Sequence, residues 1–166
     1  MVNIRPEQPR DVSAIYGVNA ACFPGDDEAR LVDFLCAAGN LSVSLVADDS
    51  GSIVGHIAFS PVSTAAGVIG AGLAPLAVLD SHRRQGIAEK LVHAGLEACR
   101  EMGFGWCVVL GEPAYYGRFG FRPAPEFGLS DEYGGGGAFQ VIELIPDSLP
   151  VGSGLVRYAP EFGSLG

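Results

Sequence analysis

Residues able to bind a phosphate sit together at Arg83, Arg84, Gly86 and Ala88. They follow the apolar run Leu76-Ala77-Val78-Leu79 and open the stretch Ile87-Ala88-Glu89-Lys90-Leu91. This order reads as a strand, a short basic turn and an amphipathic helix. A helix start carries unpaired backbone N–H groups and a partial positive charge, so it attracts anions. Gly86 has no side chain to keep a phosphate from the backbone, and small Ala88 leaves the first turn open. The two arginines add charge beside the same spot. The expected guest is a pyrophosphate, and hence a nucleotide-containing cofactor.

The same segment resembles the acetyl-CoA-binding core of the GCN5-related N-acetyltransferases (GNAT). That family's pattern is Arg or Gln, two residues, Gly, one residue, then Gly or Ala. Arg83, Gly86 and Ala88 fit it, and Leu76-Ala77-Val78 fits the strand before it. Tyr116-Gly117-Arg118-Phe119-Gly120-Phe121 is similar to the family's later Tyr-x-x-x-Gly-Phe segment. The wider Gly111–Phe121 stretch and the late Gly154-Leu155-Val156-Arg157-Tyr158 look like the YhbS-type bacterial branch, which extends the resemblance over nearly the whole chain.

The resemblance implies transfer of acetyl from acetyl-CoA to a primary amine of a small molecule or peptide. Backbone amides of Leu76, Ala77 and Val78 would hold the pantetheine and the oxyanion, with the Val78 amide facing the thioester carbonyl. Arg84, Gln85, Gly86, Ile87, Ala88 and Glu89 would hold the pyrophosphate, with Arg83 beside them. Tyr116 is the candidate acid for the departing thiolate. A tyrosine hydroxyl with a pKa near ~10 can hydrogen-bond to or protonate a thiolate near ~8.5. Packing over the cofactor is its bland alternative, and adjacent Tyr115 is a rival that lacks the spacing to Phe121. A protonated amine cannot attack, so a base is needed as well. Many family members carry a Glu on the cofactor strand, whereas Val68–Leu79 holds no titratable side chain here. Glu112, just past an apolar strand, and His56, on the preceding one, are the remaining central candidates. Glu112 could equally cap a short helix, and a lone His in an apolar strand is more often a hydrogen-bonded core residue. Glu28, between the first two helices, is placed to contact the amine.

These residues need elements to position them. Val2–Arg5 reads as a strand, and a helix follows Pro9 through Val12, Ile15, Tyr16 and Asn19. Asp26 or Asp27 caps a second helix that Gly39 ends. Leu41–Ala47 and Ile53–Phe59 are strands joined at Asp48-Asp49-Ser50-Gly51. Two apolar stretches lie between Val62 and Leu79, and the long helix runs from about Gly86 to Met102. Trp106–Leu110 is a continuous apolar run and so a central strand. A short helix spans Ala114–Phe119, and Phe139–Ile145 closes the list of strands. The expected fold is a single α/β (α+β) domain over residues 1–166. It has a mixed, mostly antiparallel sheet of six to seven strands with helices on both faces. Gly70-Ala71-Gly72 imitates a dinucleotide-binding motif, but the third Gly is missing and Pro75 blocks a helix.

Composition sets the remaining bounds. A chain of 166 residues, 48% of them hydrophobic, supports one sizeable core. No apolar run approaches the ~20 residues of a membrane span, and no signal peptide is visible. A net charge of −9 argues against nucleic-acid binding. The four cysteines are irregularly spaced among apolar neighbours, which reads as reduced thiols in a cytoplasmic protein. The three histidines show no ligand spacing, so no metal is expected. Monomer and homodimer both stay open. So do two other functions: a catalytically silent CoA- or partner-binding module, and an acyltransferase using another acyl-CoA or a hydroxyl acceptor.

Overall fold

The computed structural model describes residues 1–164. Strand β1 (Val2–Pro6) leads to helices α1 (Val12–Cys22) and α2 (Asp27–Ala37). Then come β2 (Val43–Asp49), β3 (Ser52–Thr64), β4 (Ile69–Val78), α3 (Ile87–Glu101), β5 (Trp106–Leu110) and the short α4 (Pro113–Tyr116). Four strands follow: β6 (Arg122–Pro123), β7 (Leu129–Asp131), β8 (Phe139–Glu143) and β9 (Gly154–Arg157). All nine join one sheet, ordered β1-β2-β3-β4-β5-β8-β6, with β9 bridging β3 and β7. The β4–β5 and β7–β9 pairs are parallel and the rest antiparallel. The strands beyond the expected six or seven are β6, β7 and β9, each only two to four residues long. Runs that short carry no alternation from which to read them.

Strand alternation decides which helix each side chain meets. On β2, Val43, Leu45 and Ala47 turn to one face and pack with Leu91, Val92, Leu96 and Cys99 of α3. Val46 turns to the other and packs with Ile15 of α1 and Val32 of α2. Each large side chain fully buried this way contributes roughly 1.5–3 kcal/mol of transfer free energy. The glycines at 70 and 72 are explained by the same packing. A Cβ on Gly70 would fall 2.5 Å from the Trp106 indole, and one on Gly72 would fall 2.8 Å from Val62. Both positions stay glycine because side chains from β3, β5 and the segment after β9 lie directly on β4.

Strand β4 is the element that makes the site. Its parallel pairing with β5 covers only Ala71, Leu73 and the Gly72 between them. Past Leu73 the strand follows β3 alone, through Leu76, Ala77 and Val78. The β3–β4 register shifts between Ile57 and Phe59, and such a bulge bends a strand away from its other neighbour. Pro75 adds no donor with which to continue the β5 ladder. A wedge-shaped gap between β4 and β5 results.

Candidate active site

The backbone in the gap is oriented by its hydrogen bonds. Leu79 N–H donates to the Val54 carbonyl at 2.9 Å, toward β3. The Val78 carbonyl points the opposite way and accepts from Cys22 Sγ at 3.3 Å and Arg83 Nε at 3.1 Å. Alternation along the strand therefore turns the peptide groups of Leu76 and Val78 into the gap, and that of Ala77 toward β3.

At one end of the gap lies a cavity of about 260 Å³ beside the start of α3. Gly86 caps that helix in the left-handed region at φ 78°, and Arg84 is also left-handed at φ 64°. The first amide of α3 to find a backbone acceptor is Lys90, which bonds to the Gly86 carbonyl. Among the described residues the amides of Gly86, Ile87, Ala88 and Glu89 have no partner and lie at the cavity wall. Arg83 has a structural duty. Besides its bond to Val78, its guanidinium pairs with Asp80 at 2.6 Å, so it ties the basic turn to the end of β4. Arg118 is a cation of this cavity that the sequence pattern does not point out. It stacks on Tyr115 at 4.6 Å and pairs with Glu89 at 3.1 Å across the opening. The Tyr115 hydroxyl is buried there without a hydrogen-bond partner.

At the other end lies a cavity of about 370 Å³, floored by Leu73–Leu76 of β4 and by Val109 and Leu110 of β5. Tyr116 stands on its wall. Its ring lies over Gly111, where a Cβ would come within 2.6 Å, and meets the Phe121 ring edge-on at 5.8 Å. Burial, with Tyr115 beside it, pushes the Tyr116 hydroxyl up to about 12. It is therefore a protonated donor at neutral pH. Leu76 borders this cavity, whereas Val78 borders the phosphate-end cavity. The gap amide that borders the Tyr116 cavity is thus that of Leu76, whereas Val78, whose amide is expected at the thioester carbonyl, lies toward the basic turn.

The three acid–base candidates separate clearly. Glu28, in the first turn of α2, lines the Tyr116 cavity and is its sole carboxylate among the described residues. Glu112 is exposed and borders neither cavity. Its Oε1 accepts from the Ala114 amide at 3.3 Å, so it is the N-cap of α4. His56 is fully buried on the α1 side of β3 and borders neither cavity. The expectation that it flanks the reacting centre is corrected by strand phase, which turns its ring away from the gap. Asn19 Nδ2 lies 3.1 Å from Nδ1, and Nε2 lies 2.9 Å from Ser44 Oγ, which donates to Glu7. That order of donors assigns a neutral ring protonated at Nε2. Burial lowers its pKa to about 4.

The sequence motifs assign no role to three rings of the Tyr116 cavity: Tyr133, Tyr158 and Phe162. They come from the glycine-rich loop, the segment after β9 and the C-terminal turn. Asp131 accepts from the Tyr133 and Gly135 amides at 3.1 and 2.8 Å and so holds the loop in place. Among the described residues no group of three or more His, Cys, Asp or Glu could hold a metal, and no helix is long and apolar enough to cross a membrane.

Comparison with known proteins agrees with this architecture. Residues 12–121 match the model of the Acetyltransferase (GNAT) family. The uncharacterized N-acetyltransferase YhbS of Escherichia coli (strain K12) is 42% identical over 162 residues, covering 96% of this chain and 97% of that protein. The crystal structure of E. coli YhbS in complex with CoA superposes with a TM-score of 0.94 at 40% identity, over 99% of this chain and 93% of that one. A GNAT acetyltransferase from Brucella melitensis in complex with acetyl-CoA gives a TM-score of 0.82 at 36% identity, over 98% of both chains. The chain belongs to the GNAT family of N-acetyltransferases.

Proposed function

We propose that this protein binds acetyl-CoA along the β4–β5 gap and transfers the acetyl group to a primary amine held in the Tyr116 cavity. The observation that carries the reading is the pair of cavities that flank Leu76–Val78 of β4, one bordered by Leu76 and the other by Val78. The Val78 cavity is walled by free helix-start amides, and the other holds the half-buried Tyr116 and, among the described residues, one carboxylate, Glu28. The residues present fit the cofactor's parts. The amides of Gly86–Glu89 and the charges of Arg84 and Arg118 suit a pyrophosphate. The Val78 amide suits the amide-bearing pantetheine arm, which would lie in the gap as a further strand does, while the Val78 carbonyl is already held by Cys22 and Arg83. The E. coli relative is crystallised with CoA and the Brucella relative with acetyl-CoA, which supports this cofactor for the present chain.

In this reading Glu28 holds the acceptor ammonium and takes its proton, directly or through one water. The amine nitrogen then attacks the thioester carbon. The Leu76 amide donates to the carbonyl oxygen as negative charge grows there. The carbon–sulfur bond breaks and the sulfur leaves as a thiolate. Tyr116 donates its hydroxyl proton to that sulfur, so that CoA departs as the thiol, and the nitrogen sheds its second proton, which restores the Tyr116 hydroxyl through solvent. The products are the N-acetyl amine and CoA.

Calorimetry with CoA, paired with thiol release from acetyl-CoA over an acceptor panel, tests the proposal. Tight CoA binding in the wild type and its loss in Gly86→Glu support the placement. Thiol release that depends on an amine supports transfer. CoA binding without release for any acceptor would identify a silent CoA-binding module.

A further inference from the structure

The walls of the Tyr116 cavity narrow the acceptor beyond "a primary amine". We infer that the acceptor is a compact monoamine with an apolar or aromatic body and no anionic group. The inference rests on the acetyl-transfer reading for its chemistry, but on the cavity lining for its content. Glu28 is the one charged side chain of that lining, and no Lys, Arg or His reaches it among the described residues. A single carboxylate suits a single ammonium. A ligand carboxylate or phosphate placed beside it would be desolvated with no cation to meet it.

The rest of the cavity is built for a ring or a short hydrocarbon. Tyr158 is almost fully buried, its centroid 6.0 Å from that of Tyr133 and 5.0 Å from that of Phe162, so the three rings make one continuous wall. Phe23 and Leu31 carry the apolar lining round to Glu28. Ring faces also attract a cation that passes over them. At about 370 Å³ the cavity lies near the lower end of small-molecule sites, and it shares that space with the acyl end of the cofactor. A second ammonium, as in a polyamine, would find no second carboxylate among the described residues of the lining.

The protein's other acidic groups near this wall are already engaged. Asp131 holds the glycine-rich loop, and Glu132 accepts from the Tyr158 amide at 2.8 Å while pairing with Arg157 at 3.6 Å. Neither competes with Glu28 for the acceptor.

The test compares 2-phenylethylamine, L-phenylalanine, spermidine and a peptide with one lysine at saturating acetyl-CoA, read by thiol release. Binding of 2-phenylethylamine to the CoA complex is measured in parallel by calorimetry. The inference expects a kcat/KM for 2-phenylethylamine at least ~10-fold above each of the others. It also expects Glu28→Gln to raise that amine's KM by ~10-fold with the KM for acetyl-CoA unchanged. Tyr133→Ala, a change on an exposed loop residue, should weaken 2-phenylethylamine binding by several-fold, roughly as the loss of one ring face would. Equal or better use of phenylalanine, spermidine or the lysine peptide would overturn the acceptor class and leave acetyl transfer standing. Glu28-dependent binding of 2-phenylethylamine without thiol release from any acceptor would overturn acetyl transfer and leave the ligand class standing. Absence of both binding and turnover with 2-phenylethylamine overturns the class.

Discussion

Arg118 and Glu89 face each other at 3.1 Å across the mouth of the phosphate-end cavity, one from the turn after α4 and one from the first turn of α3. Each is half exposed, so the pair adds little to stability. Its effect falls on the ligand. Glu89 neutralises Arg118 and places a negative charge where a pyrophosphate would lie. Glu89→Gln should therefore tighten CoA binding by a few-fold, and Arg118→Ala should weaken it by about ten-fold, both more strongly at low salt. Calorimetry at two ionic strengths reads both. Equal affinities in the two variants would remove Arg118 from the binding site.

Gly86 holds a left-handed conformation with open space around its Cβ position. Gly86→Ala should cost about 1 kcal/mol of stability from backbone conformation alone. Gly86→Glu should lower CoA affinity far more than that strain accounts for, because its carboxylate enters the phosphate position. Thermal unfolding and CoA titration of both variants separate the two effects.

Tyr116→Phe keeps the ring over Gly111 and against Phe121 and removes only the hydroxyl. Turnover should fall by ~10²-fold with CoA affinity unchanged within about two-fold. Wild-type turnover would make Tyr116 a packing residue. The raised pKa of about 12 also predicts that loss of this donor by ionisation has no part in the pH–rate profile below pH 10.

His56 should govern acid stability and leave turnover alone. Its folded pKa of about 4 lies below the ordinary 6.5. The unfolded chain therefore takes up a proton that the folded chain refuses as pH falls from 6.5 toward 4. Stability present above pH 6.5 is lost through that window, by an amount on the order of 3 kcal/mol. His56→Gln should be less stable than wild type at pH 7.5, having lost its bridge from Asn19 to Ser44, but should lose less on going to pH 4.5. Denaturant titrations at the two pH values measure the difference. A kcat near wild type in His56→Gln fits a structural residue, and a selective loss of rate at low pH would make it a base.

Glu112→Gln removes a carboxylate cap from α4. It should cost under about 1 kcal/mol and leave the pH–rate profile in place. The wild-type rate should rise with pH as the free acceptor amine loses its proton. A loss confined to low pH in Glu112→Gln, with recovery at high pH, would restore Glu112 as the base.

The sequence alone determined what depends on neighbours along the chain. Leu76 to Leu91 specifies strand, turn and helix because apolar alternation, a left-handed glycine and an amphipathic stripe are local properties of backbone and side chain. Tyr116 is readable for the same reason, since its ring, Gly111, Gly120 and Phe121 fall within one short segment. The tertiary structure decided which distant residues share a cavity. His56 was central by position along β3, yet β3 pairs it with Val46 and Ala77 in a phase that turns its ring to α1. A shift of one residue would have sent it to the opposite face. Glu112 lay near the site in sequence and became a cap. Glu28 and Phe162 come from the two ends of the chain and reach Tyr116 only because α2 and the C-terminal turn pack on the same side of the sheet. Side-chain phase and the meeting of distant segments are set by global packing, and no local pattern encodes them.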